Sequence, residues 1–468
     1  MSRLALWMLT IITLAGSAAW APAADIAGYE EEANRLIELS REHNGAWEKL
    51  TYLCDRIGPR LSGSDNLQKA IAWARETLEA EGLSDVRLQP VQVPHWVRGE
   101  EEARMLAPFE KPIELLALGR SIGTPDEGIT AEVVVADSFE EFAELPREQV
   151  EGKIMVWNAV FTTYGETVRY RSRGMIEAAK KGAVASLVRS IGPQSLNTPH
   201  TGVMSNYDPN VPKIPAAAIP IEDAALFARL QDAGVGATVH LKMGAHTLPD
   251  ATSHNVIAEI PGAVTPEEIV VFGGHIDSWD VGQGAHDDGG GVATTMEAAR
   301  LIIEAGLQPA RTLRLVLWTN EENGSRGAKA YRASLGDEYD NHVAAFESDV
   351  GVEELRGFGV TVRQKGSYAN DPEGQESAQE TLRQIAQLLQ PLGSDEVFPT
   401  GGGVDISPLM ALGIPGVSIH TVEEIYWNLH HTHADTVDKV DPEVVRNHAA
   451  SIAIVLYIIA DMPGRFGG

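Results

Sequence analysis

The chain has 468 residues, a formal net charge of −29, 44% hydrophobic residues and 22% charged residues. Such a composition belongs to a folded protein and excludes a disordered one, and the length points to two domains rather than one core. The acid excess argues against nucleic-acid binding, which needs clustered Lys and Arg. It does not identify a cationic substrate, because excess charge ordinarily serves solubility.

Residues 1–24 read as a secretory signal: Arg3 supplies the positive end, LALWMLTIITLAGSAAW the apolar stretch, and Ala21-Pro22-Ala23 a small-residue cleavage site. Small residues crowd the end of the stretch and few basic residues flank it, which favours cleavage over a membrane anchor. No Cys follows it, so lipid attachment is not expected, and no later segment reads as long and apolar enough to span a bilayer. The expected location is secreted or periplasmic. The single Cys54 cannot make an internal disulfide and reads as a buried small apolar residue rather than a nucleophile.

Residues 25–55 read as helix, with an acidic first turn at Glu30-Glu31-Glu32 and apolar spacing through Leu36, Ile37 and Leu39. GPRLSGS (58–64) is a loop, 65–82 a second helix ending at Gly82, and VRLQPVQVP an extended segment. From 112 to 248 the character changes to short β-rich runs, AEVVVAD, KIMVWN, AVASLVR, AAAIP and ATVHLKM. Between them lie the helical stretches SFEEFAEL, RGMIEAAKKG and IEDAALFARLQDAG. This predicts a small inserted domain, in which His200 and His246 stand apart from any ligand cluster. The main domain is then 25–111 with 249–468. From 251 onward strands (EEIVVFGGHID, TLRLVLWT, HVAAFESDVG, IPGVSIH) alternate with helices, ending in a helix over 441–461. That order predicts an α/β fold, a mostly parallel or mixed sheet flanked by helices. Its site lies beyond the carboxyl ends of the strands.

The chemistry-bearing residues fall at those strand ends. His275 and Asp277 close one strand, the pair Glu321-Glu322 follows the next, and Asp349 follows a third. Imidazole nitrogen with carboxylate oxygen is a zinc-type donor set. There are too many donors for one four-coordinate ion, and two ions about 3.5–4 Å apart with a bridging carboxylate use them all. Asp287, in the Gly-rich GQGAHDDGGG, is the natural bridge, while a helix N-cap is the alternative use of an Asp287-Asp288 pair. The absence of Lys after the glycines speaks against a phosphate loop. Of His430, His431 and His433 in HHTHADT, one suffices as a ligand. Adjacent side chains point in different directions, so one Glu of the pair can face a metal and the other a water.

The segments GGHIDSWDVGQGAHDDGGG, LVLWTNEENGSRGA, ESDVG and HHTHADT resemble the zinc exopeptidases of the aminopeptidase and glutamate carboxypeptidase clan. YRSRGMIEAAKKGAVASLVRS, NTPHTGV, VPKIPAAAI and LKMGAHT are similar to its carboxypeptidase Q group. The resemblance spans nearly all of the mature chain. It implies a phosphorylase/hydrolase-like catalytic domain with an inserted protease-associated domain at 112–248, and a homodimer. It also implies that His275 and Asp349 hold one zinc, Glu322 and His431 the other, and Asp287 bridges them. Glu321 is then the general base, Asp277 orients His275, and the Asp287–Asp288 peptide is cis. His431 is chosen over its neighbours because the family pattern is His, Ser or Thr, two residues, then an acid, which here is Asp435. His286 and Asn320 sit where relatives vary.

The expected activity is hydrolysis of small peptides, dipeptides with free termini above all, with Asp280 and Glu347 as weak candidates for reading a free amine. A broader aminopeptidase shares the metal core. A single-zinc glutaminyl cyclase or a metal-free receptor-like relative fits the intact donor set less well.

Overall fold

The computed structural model describes residues 26–194 and 196–468, so the signal-peptide reading of 1–24 lies outside the described residues. Eight strands form the main sheet, in the spatial order Ser84–Val97, His246–Ile260, Arg311–Trp318, Thr265–His275, His342–Glu347, Gly416–Thr421, Leu355–Thr361 and Glu396–Phe398. The four central strands, 311–318 through 416–421 in that order, run parallel, and antiparallel pairs flank them. Every residue of Arg311–Trp318 is buried, as expected for a strand covered on both faces.

Helices Gly290–Glu304 and Pro442–Asp461 pack together on one face of the sheet with the N-terminal helices. Ala328, Tyr331 and Leu409 lie in the core on the other. The C-terminal helix corrects one expectation. Pro442–Asp461 is long and apolar enough to cross a membrane, but residues 448–460 are all buried within the protein. It is a core helix, apolar all round because it is surrounded.

The helix expected over 25–55 is interrupted. Glu30–Glu42 ends at His43, and the Asn44 side chain accepts the Trp47 N–H at 3.2 Å to start Gly45–Tyr52. Asn is a favoured N-cap, and a residue that caps a new helix breaks the old one. The second helix buries Lys49 against Glu297, with Nζ 2.9 Å from Oε2 and both side chains at least nine-tenths buried. We expect Lys49→Met to lower stability by about 3 kcal/mol, because it leaves Glu81 and Glu297 short of a counter-charge in the interior; thermal unfolding measures it. A melting temperature equal to that of the parent would show that Arg300, which also pairs with Glu297, compensates fully.

A second sheet is ordered Lys111–Ile113, Glu101–Ala107, Thr238–Met243, Ile129–Ala136, Ile154–Trp157, Ala185–Arg189, Ala216–Ile219 and Leu116–Ala117. Two apolar clusters pack on it, one of them taking in Leu61, Trp96, Trp279 and Val281 of the main unit, and helices Tyr164–Lys180 and Ile221–Asp232 accompany it. The strand Glu101–Ala107 lies upstream of the expected start at 112 and pairs with Thr238–Met243 in this sheet. Two chain crossings join the sheets, at Gly99 and at Gly244. Gly99 has φ +72°, and a Cβ there would sit 2.6 Å from the Gly244 carbonyl oxygen. Only glycine lets the two crossings pass so closely.

Candidate metal centre

Parallel pairing brings the chemistry to one edge. Thr265–His275 pairs with both Arg311–Trp318 and His342–Glu347, and the latter pairs with Gly416–Thr421. His275 ends the first of these strands. Asn320, at φ +66°, turns the chain after the second and delivers Glu321 and Glu322. Asp349 follows the third. The fourth leads through the short helix Tyr426–Leu429 to His430 and His431.

Asp287 stands between two groups of donors. Its Oδ1 is 3.1 Å from His275 Nε2 and its Oδ2 is 3.1 Å from His431 Nε2. His275 Nε2 is also 3.4 Å from Asp349 Oδ1, and His431 Nε2 is 3.1 Å from Glu322 Oε2. His275, Asp287 and Asp349 are close enough to share one ion, and so are Asp287, His430 and His431. His430 is thus nearer the centre than the sequence pattern implies, with Nε2 3.6 Å from Asp287 Oδ2 and its ring stacked on His431 at 3.5 Å. His433 lies in neither group.

The electrostatics suit a cation. Burial and the neighbouring carboxylates Asp349, Glu322 and Asp287 push the Glu321 carboxyl well above the ordinary range, and burial with Asp287 pushes Glu322 up to about 7. Burial opposes charge on His275 and His431, but the facing carboxylates outweigh it and hold both pKa values well above normal. Glu322 Oε1 is buried and accepts no hydrogen bond, and Asp287 Oδ2 meets only the His430 and His431 rings. Acceptors orphaned in the interior are costly unless something positive completes them. The donors are those zinc takes.

The support around these groups is specific. The Asp287–Asp288 peptide is cis. The Asp288 carboxylate accepts the His275 N–H at 2.9 Å and the Gly291 N–H at 3.0 Å, so it caps the following helix while Asp287 faces the histidines. Asp277 meets His275 through its backbone, its carbonyl 3.0 Å from Nδ1, whereas its carboxylate oxygen is 3.8 Å away. That carboxylate instead accepts the Glu321 N–H at 3.1 Å. Asp277 therefore ties the Glu pair to the His275 strand.

Sequence reasoning missed Arg60, which is fully buried. It donates to the carbonyls of Ile276 (2.7 Å), Gln283 (2.8 Å) and Gly284 (3.0 Å), fixing the loop that carries Asp287. Nothing in GPRLSGS marks it, because its partners are distant in sequence. The sequence marks Asp435 only as the acid of the family pattern. Its carboxylate accepts the N–H groups of Ala285, His286 and Asp287 at 2.7–3.2 Å.

Other candidates are occupied elsewhere. Asp280 is held by Arg98 Nε at 2.9 Å. Glu347 accepts the Asp405 and Ile406 N–H groups at 3.3 and 2.9 Å. Neither is among the residues that line the cavity at the centre. His286 Nδ1 accepts the Val352 N–H, Asn320 bonds Ser62, and His246 bonds the Gly244 carbonyl.

A cavity of about 450 Å³ opens onto the centre. Asp287, Glu321, Glu322, Asp349 and His431 line its base, and Trp427, Val350 and Val404 line the main-unit wall. Arg120, Tyr164, Arg171 and Val203 reach it from the second unit, a contribution the sequence did not reveal. A larger surface depression near Gly99, Gly123 and Lys242 contains none of these groups.

The model of Peptidase family M28 matches residues 255–456. Carboxypeptidase Q of Mus musculus is 44% identical over 441 residues, covering 94% of this chain and 91% of that protein. The Homo sapiens protein is 44% identical with 94% and 90% covered. The chain belongs to peptidase family M28. This M28 chain is a metallopeptidase, a hydrolase whose His and carboxylate groups fit zinc. Among solved structures it is similar to a Peptidase M28 precursor from Shewanella amazonensis SB2B, with TM-score 0.87, 34% identity, and 94% and 99% of the two chains covered. It is also similar to an aminopeptidase from Aneurinibacillus sp. strain AM-1, with TM-score 0.63, 26% identity, and 93% and 97% covered.

Proposed function

We propose that this M28 chain is a co-catalytic di-zinc exopeptidase that cleaves short peptides, dipeptides with free termini above all. The observation that carries the reading is Asp287, with one oxygen toward His275 and the other toward His431. In this reading His275 and Asp349 hold one zinc, Glu322 and His431 the second, and Asp287 bridges.

Two zinc ions, when bound, lower the pKa of a shared water toward about 7 and polarise the scissile carbonyl. Glu321 lines the cavity, and it is Glu322, not Glu321, whose carboxylate pairs with His431 at 3.1 Å. Glu321 takes the proton from the attacking water and returns it to the leaving amine. Asp277, by holding the Glu321 amide, keeps this base registered against the His275 strand.

Arg120 supports the preference for a free carboxyl end. Its Nη1 donates to the Met204 carbonyl and its Nη2 to the Asn323 carbonyl, both at 2.9 Å. Burial and Arg326, not a carboxylate, dominate its surroundings. A guanidinium has five N–H donors, so this one, which lines the cavity, keeps donors beyond those two bonds. We expect Arg120→Ala to reduce kcat/KM on free dipeptides by about 100-fold, the loss of one charge-assisted hydrogen bond pair. The C-terminally amidated analogues should change little. An equal loss on acid and amide would remove Arg120 from carboxylate recognition.

The deciding experiment is turnover on free and terminally blocked dipeptides, with zinc analysis of the same sample. Two ions per chain and cleavage of free dipeptides support the reading; one ion with glutaminyl cyclisation would replace it. The same proposal includes export by the N-terminal segment, a protease-associated inserted domain near 112–248, and a homodimer, which light scattering of the processed chain tests.

A further inference from the structure

The two imidazoles of the centre are supported from different units of the protein. His275 Nδ1 faces the Asp277 carbonyl at 3.0 Å, two residues along its own chain. His431 Nδ1 faces the Thr201 carbonyl at 3.3 Å, across from the second unit. The Thr201 N–H also donates to the His431 carbonyl at 3.0 Å. One residue therefore grips both the ring and the backbone of His431, which sits at φ +62°, a conformation a non-glycine residue keeps only when its surroundings impose it. Thr201 itself is fully buried.

The di-zinc reading fixes the hydrogen-bond directions. His431 Nε2 points at Asp287 and Glu322, so a ligating ring carries its proton on Nδ1 and needs an acceptor there. Arg171 Nη1 also lies 3.3 Å from Nδ1, but a guanidinium only donates. The acceptor is the Thr201 carbonyl. Arg171 acts one step further out. Its Nη1 donates to that same carbonyl at 3.0 Å and its Nη2 to Tyr164 Oη at 2.7 Å. Tyr164 stacks on Trp427 at 4.8 Å, which ties this wall to the segment bearing His431. Gly202, at φ +138°, completes the fit: a Cβ there would lie 2.2 Å from Arg171 Cζ.

We infer that the 200–202 loop of the second unit, held by Arg171, is the positioning support of His431 and sets how tightly one of the two metal positions binds. This rests on the di-zinc reading above. Outer partners of metal-bound histidines fix the ring and its tautomer, and their loss typically costs about 10–100-fold in affinity. The second unit is then part of the metal site as well as a wall of the substrate cavity, and it acts on one position only.

The test is zinc binding by the full-length protein, titrated against a competing chelator, for the parent, Arg171→Met, Gly202→Ala and His431→Ala. The expected parent binds two ions. Arg171→Met and Gly202→Ala should keep one at parental affinity and bind the other about 10–100-fold more weakly. Adding Arg171→Met to His431→Ala should cost nothing further. With Co²⁺ in place of zinc, only the absorption of the weaker equivalent should change in Arg171→Met. Parental affinity at both positions, or equal weakening of both, would overturn the inference. A parent that binds fewer than two ions would instead overturn the di-zinc reading, and this inference with it. Should Gly202→Ala not fold, Arg171→Met carries the test alone, since it removes a side chain and inserts nothing.

Discussion

Glu321→Gln should leave both metal positions filled and lower kcat by about 10³-fold, the middle of the range for removing a general base. The two members of the Glu pair are adjacent in sequence but unequal in space. Glu322 is buried with Oε2 3.1 Å from His431 Nε2. Glu321 is held by its backbone to Asp277 and presents its side chain to the cavity. Glutamine keeps the shape and cannot take a proton. Steady-state rates and zinc content on one preparation decide the matter. Full turnover by a two-zinc Glu321→Gln protein would end this assignment. Loss of a metal together with activity would mean that Glu321 is a ligand.

Asp287→Ala should weaken both metal positions together and lower kcat/KM by at least about 10³-fold, equivalent to about 4 kcal/mol of barrier. Asp287 is the group that faces both histidines, and its backbone is fixed by Asp435 and by the loop that Arg60 organises. Removing the carboxylate leaves His275 Nε2 facing Asp349 and His431 Nε2 facing Glu322. His431→Ala, by contrast, should empty one position and leave the other filled. Chelator titration separates the two outcomes. An Asp287→Ala protein that still held two ions at parental affinity would show that Asp287 bridges nothing.

The division between readable and unreadable features follows the range of the interactions involved. The alternating elements from 251 onward and the donors at their ends were readable because strand periodicity and parallel order act locally, and parallel strands must present their carboxyl ends together. The strand Leu355–Thr361 escaped notice because LRGFGVT carries two glycines that weaken the pattern. In the fold those glycines are required: a Cβ at Gly357 would lie 1.8 Å from the Glu396 carbonyl and one at Gly359 1.9 Å from that of Thr400. The break at Asn44 is not legible in the sequence because continuous apolar spacing outweighs a single capping residue.

From residue order alone came the α/β class, the strand ends bearing His275, the Glu pair and Asp349, and Asp287 as the centre of the donor set. These depend on periods of two and 3.6 residues and on side-chain chemistry, which a chain carries with it. Packing across long sequence distances assigned the rest. It placed Arg60 under the Asp287 loop and gave the Asp277 carboxylate to the Glu321 amide. It committed Asp280 to Arg98, and it brought Arg120, Arg171 and Thr201 from another unit to the wall and support of the site. A hydrogen bond across hundreds of residues leaves no local pattern, so only the folded chain shows who its partners are.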